Sequence, residues 1–135
     1  MTALARLLFP LPDVRRSTTT LLGWWERRRL AYNAIVGTTG LVSLGVLNVL
    51  SWLPPHVDFR VPLVAVVVYG VGANLCYSLG FAIEALLERL WGADVAPVGP
   101  TLFRHGLVFS VGLTLMPIAV AWIGWLVSVL HYFMR

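Results

Sequence analysis

The side chains best placed to do chemistry are the polar ones set inside apolar runs. Glu84 is the most informative of them. It follows an uncharged run that starts at Val61, so it sits where hydrocarbon would meet lipid headgroups. Ionisable residues at membrane depth mark proton or cation pathways by default. The competing reading is an ion pair at a wetted surface, with Arg29, Arg89 or Arg104 as partner, and it is the favoured one here.

Asn33, Asn48, Asn74, Tyr77 and Ser78 complete the intramembrane polar set. An amide in hydrocarbon that finds no partner costs about 2 kcal/mol or more. Rise per residue brings Asn48 and Asn74 to comparable depth, and puts Asn33 nearer Tyr77, Ser78 and Glu84. Hydrogen bonds between membrane helices contribute about 0.6 kcal/mol each. They are therefore expected to set register more than to add stability.

Other chemistries lack their residues. There is no glycine-rich phosphate loop, no HExxH and no GxSxG. Cys76 is the single cysteine, which excludes an intrachain disulfide and a multi-cysteine metal site. His56 and His131 fall toward one end of the apolar runs and His105 toward the other. Haem ligation would want two imidazoles facing each other. All ten basic residues are arginine, so no lysine is present to form a Schiff base. The expectation is no catalytic residue, no metal and no cofactor.

The elements that must hold these residues are long helices. Hydrophobic residues make up 59% of the 135-residue chain and charged residues 12%, against about 25% in soluble domains. Three stretches carry no formal charge: Ala31 to Leu53, Val61 to Ile83 and His105 to Met134. About 20 apolar residues cross the hydrocarbon core as a helix. The runs do not alternate in polarity, which excludes spanning strands. Spans are expected at about 31–53, 61–90 and 102–133.

Punctuation agrees with that division. Pro54-Pro55 stops the first span, because proline lacks the amide hydrogen and its ring clashes with the preceding turn. The link that follows is short, which predicts that spans one and two are antiparallel neighbours. Pro62 suits the first turn of span two. Thr101 is the expected N-cap of span three, and Pro117 is expected to bend it.

Residues 1–30 read as an arginine-rich arm with an amphipathic segment starting near Ser17 or Thr18. That segment lies at the interface or runs straight into span one. The fold class predicted is an all-α membrane protein, an antiparallel bundle of three transmembrane helices with an N-terminal interfacial segment. Arg6, Arg15, Arg16, Arg27, Arg28, Arg29, Arg89 and Arg104 fall on one side; Arg60 and Arg135 fall on the other. Positive-inside bias then puts the N-terminus in the cytoplasm and the C-terminus outside, in a bacterial inner membrane. The charges cluster at span ends, so topology explains the net charge of +4 better than nucleic acid does.

Small residues mark the expected contact face. Gly72, Cys76 and Gly80 recur every four residues and lead to Glu84 and Glu88; Gly106 and Ser110 repeat the spacing in span three. Small residues at such spacing let another backbone approach closely. In span one, Gly37 and Gly45 with Leu41 between them form the best stripe. Besides the bilayer, the expected partners are other membrane subunits or copies of the chain. The function expected is a non-catalytic membrane subunit. The alternative is a small homo-oligomeric transporter or channel lined by Asn33, Asn74, Tyr77, Ser78 and Glu84.

Overall fold

The computed structural model describes residues 18–91 and 98–134. Every regular element among them is a helix: α1 (Thr18–Trp52), α2 (Leu63–Trp91) and α3 (Gly99–Phe133). All three are long and apolar enough to cross a membrane. The 35 residues of α1 and of α3 reach about 52 Å at about 1.5 Å per residue. That exceeds the hydrocarbon thickness of about 30 Å, so each helix overruns a bilayer.

Both ends of α2 lie close to the expected span. Span one differs. α1 runs unbroken through residue 30, where charge alone suggested a boundary. Arg27, Arg28 and Arg29 are good helix formers, and no proline or glycine interrupts the stretch from Trp24 to Val36. The amphipathic segment therefore runs straight into span one as one helix from Thr18 onward, the second of the two arrangements expected. The arm ahead of residue 18, the loop at 92–97 and Arg135 lie outside the described residues.

Between α1 and α2 the chain turns at Leu53 to His56, with His56 N–H bonded to Leu53 O at 2.8 Å. His56 has a φ of 61°, a left-handed conformation that histidine adopts more readily than most residues. Phe59 N–H donates to Ser51 Oγ at 3.2 Å. Trp125 Nε1 donates to Pro54 O at 3.0 Å. Those bonds tie the link to both α1 and α3.

α3 packs most extensively on α1, and the short-linked pair α1 and α2 share the sparsest interface. A short link brings helix ends together without obliging their flanks to pack. α3 continues through Pro117 without a break.

The interior divides into two clusters. Leu21, Trp25, Tyr32, Val36, Tyr77 and Phe103 form one. Leu47, Leu50 and Ala121 form the other, with Phe59 and Trp125 against them. They are called here the Glu84 end and the Pro54 end.

Candidate functional site

Glu84 lies in the interior, 1% exposed. The expectation of a wetted surface carboxylate is therefore corrected. Trp25 Nε1 donates to its Oε2 at 2.6 Å, and the Gly99 N–H donates to its Oε1 at 3.0 Å. Gly99 opens α3. The first N–H groups of a helix have no partner within it and carry partial positive charge. Glu84 thus meets the start of a neighbouring helix with an acceptor.

That contact also corrects the N-cap expected at Thr101. The N-cap position belongs to Val98, which has no side chain able to cap, and a proline follows in the first turn. The capping group comes from another helix, about 15 positions back in sequence by the Gly99–Glu84 separation. Gly99 is required there: a Cβ at this position would overlap the Glu84 carboxylate.

Trp25 is held from several sides. Its backbone carbonyl accepts the Tyr77 hydroxyl at 2.5 Å. Its ring meets Tyr77 edge-on at 5.1 Å and Phe103 at 6.3 Å. Gly80 lies under the same ring, and a Cβ there would come within 2.8 Å of it. Residues 24–33 of α1 and 74–80 of α2 are thus packed on each other.

Toward the middle of the bundle a chain of hydroxyls follows. Tyr32 OH lies 2.8 Å from Ser110 Oγ and 3.3 Å from Ala73 O. Tyr69 OH donates to Ser110 O at 2.9 Å and lies 2.6 Å from Thr114 Oγ1. Thr114 in turn donates back to Ser110 O at 2.6 Å. Such bonds are directional, so they pin the rotation of three helices together. The hydroxyl chain has no nucleophile paired with a base.

Arginines flank this core. Arg28 is buried, stacked 3.8 Å over the Trp24 ring. Arg29 Nη2 donates to Ser78 Oγ at 3.2 Å and pairs with Glu26 at 3.1 Å.

The remaining sequence-derived residues scatter. Asn33 and Asn48 are exposed. Asn74 Nδ2 bonds to Gly70 O within its own helix at 3.0 Å. No hydrogen bond joins Asn48 to Asn74, or Asn33 to Tyr77 or Ser78, among the described residues. The i+4 series in α2 also divides. Each step of four turns a helix by about 40°, so Gly72 and Glu84 differ by roughly 120°. Gly80 and Glu84 face the core, Cys76 is exposed, and a Cβ at Gly72 would meet nothing within 4 Å. In α3, Ser110 is buried against Tyr32 while Gly106 faces open space.

Sequence reasoning missed Trp25, Tyr32, Tyr69 and Gly99 as parts of the polar core. Trp25 offered one signal, an indole donor two residues ahead of the run Arg27 to Arg29, with Arg28 and Arg29 on its own helix face. Gly99 offered another, the pairing Gly99-Pro100 at a helix start. No protein-family model matches this chain, and no curated protein or solved structure does.

Proposed function

We propose that the chain is an integral membrane protein crossing the bilayer three times as an antiparallel bundle. Its N-terminus and the α2–α3 connection face the cytoplasm, its C-terminus faces outward, and a bacterial inner membrane is the setting. Within that membrane it acts as a non-catalytic subunit, packing against partner membrane proteins or copies of itself. The arginine distribution supports the orientation. Helices of this length and hydropathy support the spanning.

One observation carries the functional reading: the outward face of α1. At about 100° per residue, Asn33, Gly37, Leu41 and Asn48 fall within roughly an 80° arc. Trp25, Tyr32, Ser43 and Leu50 are buried on a face centred roughly 130° away. Asn33 and Asn48 are exposed, and Gly37 and Gly45 face open space. Lipid tails offer an amide no hydrogen bond, whereas a neighbouring helix does. Glycines let that helix come near enough to supply it. The polar core is bonded inside the chain, so it draws on no outside partner to explain its presence. Tyr77 and Glu84 belong to that core, which leaves the transporter alternative without two of its lining residues.

Sedimentation in density-matched mild detergent tests the reading, alongside crosslinking in native membranes. A complex is expected in at least one setting. The double variant Gly37→Leu/Asn48→Leu is expected to weaken it at least ten-fold, about 1.4 kcal/mol. A chain that stays monomeric and crosslinks to nothing would overturn the reading.

A further inference from the structure

The seam between α1 and α2 opens into a groove of about 550 Å³. Its two ends differ in chemistry. Arg29, Ser78 and Asn74 line one end, and Val71, Gly70 and Val67 continue it along α2. The distance from Ser78 to Val67 along the helix is about 16 Å, at about 1.5 Å per residue. Arg29 bridges the seam through its bond to Ser78 Oγ. Its side chain is still 36% exposed. Glu26 pairs with it and offsets part of its charge; Arg27, exposed on the same turn of α1, adds positive charge to that surface, whereas Arg28 is buried against Trp24.

We propose that this groove seats one anionic phospholipid. The phosphate lies against Arg29 and Ser78, and an acyl chain follows Val71, Gly70 and Val67 toward the bilayer middle. The inference rests on the membrane-spanning reading above but not on self-association. Three features favour this occupant. The gradient from cation to apolar wall runs the same way as a lipid in the leaflet on the Arg29 side. Its length suits an acyl chain rather than a headgroup alone. Basic residues near the membrane surface attract anionic lipid, by about five-fold per residue. Gly70 widens the apolar part, since a Cβ there would meet nothing within 4 Å.

The test uses the full chain in phosphatidylcholine vesicles with trace spin-labelled phosphatidylglycerol or phosphatidylcholine. Electron paramagnetic resonance reads the motionally restricted fraction of each label. Carbonate-washed vesicles retaining the protein establish insertion separately, so a failed membrane reading is recognised as such. The expected result is about five-fold preference for the anionic label. Arg29→Gln should abolish the preference and Arg29→Lys should keep most of it. Gly70→Leu, which fills open space and leaves Arg29 in place, should abolish it too. No preference in the unmodified protein overturns the proposal. So does a preference that survives Arg29→Gln. A preference lost in Arg29→Gln but kept in Gly70→Leu would leave a headgroup contact without a seated chain, and overturns it as well.

Discussion

The two ends of the bundle hold their helices by different physics. At the Glu84 end, Trp25, Tyr77, Tyr32 and Glu84 are buried and hydrogen-bonded across helices. At the Pro54 end the buried cluster of Leu47, Leu50 and Ala121 is apolar, and among the described residues the hydrogen bonds between elements run only through the link, from Trp125 to the Pro54 carbonyl and from Phe59 to Ser51. Lipid tails are as apolar as leucine, so burying Leu50 in a membrane gains packing but little hydrophobic free energy. Hydrogen bonds and close glycine contacts do discriminate one helix arrangement from another. The comparison teaches that register is set by direct bonds between buried helix side chains at one end and through the link at the other.

Removing the carboxylate should break that contrast most. Glu84→Leu leaves the Trp25 and Gly99 donors unmet in an apolar interior. Each unmet donor costs about 1–3 kcal/mol, so a loss of roughly 2–6 kcal/mol is expected. Glu84→Gln keeps one acceptor oxygen and should lose less. Unfolding in mixed micelles, followed by circular dichroism, measures both. A Leu variant within about 1 kcal/mol of the parent would show that Glu84 does not organise this end.

Glycine substitutions come next. Gly80→Ala pushes a methyl into the Trp25 ring. That ring cannot yield easily, because its nitrogen is bonded to Glu84 and its faces are packed. Overpacking of this kind costs about 1–3 kcal/mol. Gly72→Ala lies on the same helix but meets open space. It should leave the monomer unchanged or stabilise it by up to about 1 kcal/mol through helix propensity. Equal effects at the two positions would contradict the packing described.

The smallest pair sharpens the comparison. Tyr32→Phe removes the hydroxyl beside Ser110 and should cost about 0.6 kcal/mol, the average for such bonds between membrane helices. Leu50→Met at the other end conserves volume and should cost less than about 1.5 kcal/mol. The two differ in kind. Exchange of the Ser110 and Thr114 backbone amides should rise with Tyr32→Phe, whereas Leu50→Met should leave that region alone. Amide exchange in micelles reads this directly.

Much of the fold was legible in the residues. Charge-free runs located all three helices, and α2 and α3 start or stop within a few residues of the expected limits. The site was legible only in part. Glu84, Tyr77, Ser78 and Ser110 drew notice by type, but their partners did not. Asn48 and Asn74 were matched by depth, yet depth says nothing about rotation. Asn48 turned outward and Asn74 bonded to its own helix. The i+4 series misled for a similar reason, because 3.6 residues per turn carries Gly72 away from Glu84.

Glu84 shows where the division falls. Its carboxyl group, its place at the end of an apolar run and its nearness to arginines follow from the linear chain. The length of each helix follows too, since hydropathy and proline act locally. That Glu84 is buried and reaches the first N–H of α3 follows from nothing local. It depends on how three helices are rotated and offset, and those are chosen by contacts between residues far apart in the chain. Trp25 against Gly80 and Gly99 against Glu84 are such contacts, and only the tertiary structure brings them together.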